Sequence, residues 1–97
     1  MIEKTYKLNH FTYERPFYGS SYGLNVRYRI LGVMEELGAR KKEPKELIAW
    51  IWKGPMAFEA TPEEAKENQT FPFTEEGYDQ LIAWLNDKAS SIMEQED

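Results

Sequence analysis

The sequence predicts an α+β fold: an antiparallel sheet of three to four strands packed on a long C-terminal helix, with one short extra helix. Three observations predict it. Residues Leu24 to Ile30 alternate apolar and polar, the period of a half-exposed antiparallel strand. Leu47 to Trp52 form an apolar run of six that stops at Lys53-Gly54-Pro55, which is the length and punctuation of a buried strand. From Tyr78 onward apolar residues recur every three or four positions, as on a helix with one buried face. Strands precede helices, the order expected of this class.

Taken in order, Lys4 to Tyr13 is rich in Thr, Tyr and Phe and free of Gly and Pro, predicting a first strand. Residues 15–23 hold Pro16, Gly19 and Gly23 and predict a loop or hairpin connection. In the next strand Leu24, Val26, Tyr28 and Ile30 share one face, and Asn25, Arg27 and Arg29 the other. At its far end Leu31 and Val33 replace the polar set, so that end is covered on both faces or bulges at Gly32. The stretch Glu35 to Pro44, with Gly38 and the run Arg40-Lys41-Lys42-Glu43, predicts a solvated hairpin tip. A third strand runs from Lys45 to Lys53, with a short fourth near Ala57 to Ala60.

Thr61-Pro62-Glu63-Glu64 predicts a short helix ending near Asn68: Thr61 caps it, Pro62 takes the first helical position and Glu64 closes a capping box. Thr74 caps the last helix, with Glu75 and Glu76 near the positive end of its dipole. Its apolar stripe is Tyr78, Leu81, Ile82, Leu85, Ala89 and Ile92. Phe73, just before the cap, staples the chain entry, and residues 94–97 fray. With 97 residues, the chain is expected to form one domain over 1–97, because two would leave neither enough buried surface.

Several function classes are excluded or disfavoured. The absence of cysteine removes structural disulfides, Cys-based zinc sites, iron–sulfur clusters and thiol catalysis. No cofactor and no metal site is expected. No apolar run nears the roughly 20 residues that span a bilayer, and the N-terminus lacks a signal-peptide pattern. A cytoplasmic protein without a membrane partner is therefore expected. His10 is the only histidine, and no nucleophile elbow surrounds Ser20, Ser21, Ser90 or Ser91. It reads as a half-buried hydrogen-bonding residue of the first strand, and no catalytic residue is expected.

The net charge of −5 conceals an asymmetry, because residues 1–53 carry ten Lys/Arg against six Asp/Glu, and residues 54–97 two against eleven. The halves either attract one another or serve different partners. Tyr18 and Tyr22, in the 17–23 loop, are candidates to line a shallow ligand site with Arg27 and Arg29, where guanidinium groups hold an anion and rings stack on a planar group. The alternative gives the tyrosines a sheet edge to cover and the arginines carboxylates to pair with. Aromatics interleaved with Arg on a sheet also suit single-stranded nucleic acid, but the acidic balance disfavours it.

The third strand carries the strongest lead. Ile48, Trp50 and Trp52 fall on one face and Leu47, Ala49 and Ile51 on the other, and one helix covers only one of them. The other is closed by a second copy, or by residues 54–61 and the short helix. The expectation is a small interaction module without catalytic activity, a homodimer or a binder of another protein, with Ile48, Trp50 and Trp52 as interface residues.

Overall fold

The computed structural model describes residues 2–13, 15–23, 25–39, 41–54 and 56–94. The α+β architecture is as expected: strands β1 (Phe17–Ser21), β2 (Val26–Gly38), β3 (Lys41–Lys53) and β4 (Lys66–Pro72) form one antiparallel sheet in the order β1-β2-β3-β4, and helix α1 (Glu75–Glu94) crosses one face. Among the described residues no helix is long and apolar enough to cross a membrane. The expected strand start at Leu24, the tip residue Arg40 and residues 95–97 of the tail lie outside the described residues.

The inner face follows from the alternation. Val26, Tyr28 and Ile30 of β2 and Leu47, Ala49 and Ile51 of β3 are buried against Tyr78, Leu81, Leu85 and Ala89 of α1. The helix starts where the sequence places it, the Gly77 amide donating to the Thr74 hydroxyl oxygen at 2.9 Å. Its middle also holds the N-terminal segment: the Ile2 amide donates to Asn86 Oδ1 at 2.7 Å, and Asn86 Nδ2 donates back to the Ile2 carbonyl at 2.8 Å. The Tyr78 hydroxyl donates to the Tyr6 carbonyl at 2.7 Å. Lys4 pairs with Asp79 and, at 3.7 Å, with Glu75, and the hydrogen bond to Asp79 is the main cause of its raised pKa.

Several local expectations are corrected. Residues 4–13 do not form a strand; Leu8–Tyr13 is a 3-10 helix that lays Phe11 into the core beside Tyr78, ring centroids 5.6 Å apart. The first strand is instead Phe17–Ser21, within the segment that reads as a loop. Its inward positions are Phe17, which packs on the core, Gly19 and Ser21; Gly19 pairs with Tyr28, and a Cβ there would overlap the Tyr28 ring. Past Phe17 the bulk comes from Tyr28 on the neighbouring strand, which is why β1 lacks an alternating pattern of its own. Gly32 is not a bulge either: it lets the Phe11 carbonyl approach the sheet, while the register shifts fall at Val33/Met34 and Glu36/Gly38.

Further corrections concern the hairpin and the residues before α1. The strands continue through the expected tip, β2 to Gly38 and β3 from Lys41. Because β1 stops opposite Ile30 and β4 stops opposite Glu46, residues Met34 to Lys45 project as a two-stranded arm. After Pro62 there is only the 3-10 turn Glu63–Ala65, and the fourth strand is Lys66–Pro72 rather than Ala57 to Ala60. The Thr61 hydroxyl donates to the Ala57 carbonyl at 2.8 Å, and no side chain caps the turn. So short a helix with no apolar stripe has little to stabilise it, whereas an added strand pairs the β3 edge and buries Phe71.

Candidate functional site

Residues that alternate away from α1 build the outer face. Cross-strand pairing sets them in four rows: Ser20, Arg27, Trp52 and Lys66; Tyr18, Arg29, Trp50 and Asn68; Leu31, Ile48 and Thr70; Val33, Glu46 and Pro72. All the sequence-predicted candidates except Tyr22 thus share this face. Tyr22 lies beyond the end of β1, in the turn, with a left-handed φ of 53° next to Gly23 at 68°.

The first row is closed by the chain itself at its Trp52 and Lys66 end, whereas Ser20 is exposed and Arg27 half-buried. Trp52 is 1% exposed: its indole Nε1 donates to the Met56 carbonyl at 2.8 Å, and the Phe58 ring stands edge-on to it at 5.6 Å. Lys66, 8% exposed, holds this cover from β4. Its ammonium donates to the Phe58 carbonyl at 3.0 Å, pairs with Glu63 at 3.2 Å and sits 3.8 Å from the Phe58 ring centroid. The internal cover weighed for this strand therefore exists at the Trp52 end.

The second row is half closed. The Arg29 guanidinium lies 4.4 Å from the Trp50 ring centroid, 4.6 Å from Phe58 and 5.8 Å from Tyr18. Ring contacts of this kind orient a guanidinium without neutralising it. Its Nε is buried with no acceptor, so an approaching acceptor meets the edge formed by the two terminal nitrogens. Tyr18 is 43% exposed beside it. Clefts of about 490, 580 and 480 Å3 lie against the end of α1, along the arm and beside the N-terminal segment, and none of these three is lined by Tyr18, Arg29 or Trp50.

The last two rows carry Leu31 opposite Ile48 and Val33 opposite Glu46. These four residues, like Trp50, remain half-buried, since α1, the 3-10 helix and the N-terminal segment all pack on the other face. His10 is not on this face: it stacks on Tyr6 at 4.1 Å.

Phe58, Lys66 and Glu46 escaped the sequence reading. Phe58 is a single aromatic in a stretch of small and charged residues, and nothing in its spacing ties it to Trp52. Glu46 was accessible, because counting back two from Ile48 places it on the same face. Comparison of the chain with family models, curated proteins and solved structures returns no match.

Proposed function

We propose that this chain is a small cytoplasmic module that acts by contact, as a homodimer whose second copy seats on the half-open part of the outer sheet face. The observation that carries the reading is the unequal cover of β3: Leu47, Ala49 and Ile51 are buried, whereas Ile48 and Trp50, with Leu31 and Val33 beside them, are not. A contiguous apolar patch edged by Trp, Tyr and Arg has the composition of an interface centre. Symmetric pairing is the commonest way to bury such a patch. Trp52 supports the surface from beneath residues 56–58, and Ile48 and Trp50 do the contacting.

Acrylamide quenching of tryptophan emission, followed from nanomolar to tens of micromolar protein, tests this. Trp50 becomes shielded as copies associate, while Trp52 is shielded throughout. The quenching constant is expected to fall with concentration in the natural chain and to stay flat in Trp50→Phe. A natural chain with a flat profile overturns the reading.

A second reading rests on Arg29, a guanidinium framed by three rings with no acceptor among the described residues. On it the Tyr18 and Arg29 surface takes a small anionic ligand. A thermal shift produced by phosphate or a small carboxylate and lost in Arg29→Gln supports this reading, and no shift removes it.

A further inference from the structure

The outer face carries two opposite charges, Arg29 and Glu46, for which no ion pair is found among the described residues. They stand one row to either side of the Leu31–Ile48 pair. From this placement, and resting on the homodimer reading above, we infer that two copies meet face to face about a two-fold axis that crosses the strands at Leu31–Ile48, so that Arg29 of each pairs with the partner's Glu46.

Two-fold symmetry selects this arrangement. Two identical sheet faces can oppose each other only through a two-fold lying in the interface plane. An axis along the strands keeps every row opposite itself: Arg29 then shares its row with its own copy, Glu46 does likewise, and like charges are set together. An axis across the strands reverses the rows. The Tyr18–Arg29–Trp50 row then lies over the partner's Val33–Glu46 row, and the Leu31–Ile48 row lies over itself as the apolar centre. Sheets pack about 10 Å apart face to face, a gap that an arginine and a glutamate span between them.

Two further features agree. The Met56–Ala60 segment stands over the Trp50 and Trp52 end, so an axis across the strands puts the two copies of it at opposite ends of the interface. The Arg29 guanidinium is also held in place by Trp50 and Phe58 before any partner arrives, which lowers the ordering cost of pairing it. Both ion pairs form at once, so the charges fix register as well as adding attraction.

The test uses the full chain in two variants, Arg29→Glu and Glu46→Arg. Alone, each places like charges at both sites, and its self-association is expected to weaken at least about tenfold. Mixed in equal amounts, they restore two attractive pairs in the heterodimer, and association is expected to return to within about threefold of the natural chain. Rescue in the mixture cannot arise within one chain. Circular dichroism checks that each variant folds; if Arg29→Glu does not, a double-mutant cycle with Arg29→Gln and Glu46→Gln replaces it, with a coupling of about fivefold or more expected. A natural chain that dimerises while the variants associate normally, or fail to rescue each other, overturns this register and leaves the dimer standing. A natural chain that never dimerises overturns both.

Discussion

The two faces of β3 are both strongly apolar and meet different fates. Leu47, Ala49 and Ile51 meet α1 and are fully buried; Ile48 and Trp50, one residue out of phase, are half-buried, and only Trp52 is closed over. The difference lies in the covering layer. A 20-residue helix with a continuous stripe spans one face, whereas the other receives a short segment anchored by Phe58, Lys66 and one indole hydrogen bond. Hydrophobicity alone therefore does not tell which face is core and which is surface. The reach of the element laid over it does.

Substitutions on the two sides should separate accordingly. Leu81→Ala, at a fully buried position beneath the sheet, is expected to cost about 3 kcal/mol in chemical denaturation, within the range for buried leucines. Phe58→Ala removes the ring shared by Trp50, Trp52, Arg29 and Lys66 and is expected to cost about 2 kcal/mol, adding lost ring pairs to lost burial. It should also make Trp52 quenchable, which Leu81→Ala should not do while the chain is folded. Thr74→Ala deletes the α1 cap at a cost of about 1 kcal/mol and should leave the outer face unchanged.

The inner face also predicts a pH response. Burial raises the pKa of Tyr28 and, against the opposing charge of Lys4, that of Tyr78 above their ordinary value of 10.0. The folded chain holds these protons more tightly than the unfolded chain. The associated stability is fully present below pH 10 and is lost as pH rises through the folded values. Melting temperature should be level from pH 8 to 9.5 and decline above pH 10, and Tyr28→Phe should blunt the decline. A decline that begins below pH 9 speaks against these two phenols as its origin.

What was legible in the sequence was whatever carried its own periodicity or cap. The Thr74 cap and the Tyr78 to Ile92 stripe placed α1, and alternation placed the paired parts of β2 and β3. β1 was hidden because Phe17 is its one large inward residue: the next inward position is Gly19, and the bulk that fills the space there is Tyr28, on another strand. β4 was hidden because Phe71 is its one buried apolar residue, while Thr61-Pro62-Glu63-Glu64 imitates a helix start. Leu8–Tyr13 has strand-like composition, yet the edge it would occupy is taken by Phe17–Ser21. On the candidate surface the sequence located Arg29, Ile48 and Trp50 through strand parity, and Tyr18 only as a residue of the 17–23 loop. It did not disclose Phe58, whose role depends on a loop folding back over β3.

The most direct measurement is sedimentation equilibrium of the full chain beside Ile48→Asp, which places a charge at the centre of the outer face and leaves the inner face untouched. At tens of micromolar the natural chain is expected at twice 11.4 kDa, and Ile48→Asp, with an unchanged circular dichroism spectrum, at 11.4 kDa. A natural chain that remains at 11.4 kDa throughout, or an Ile48→Asp chain that still dimerises, contradicts the assignment of the outer face as the surface on which this protein acts.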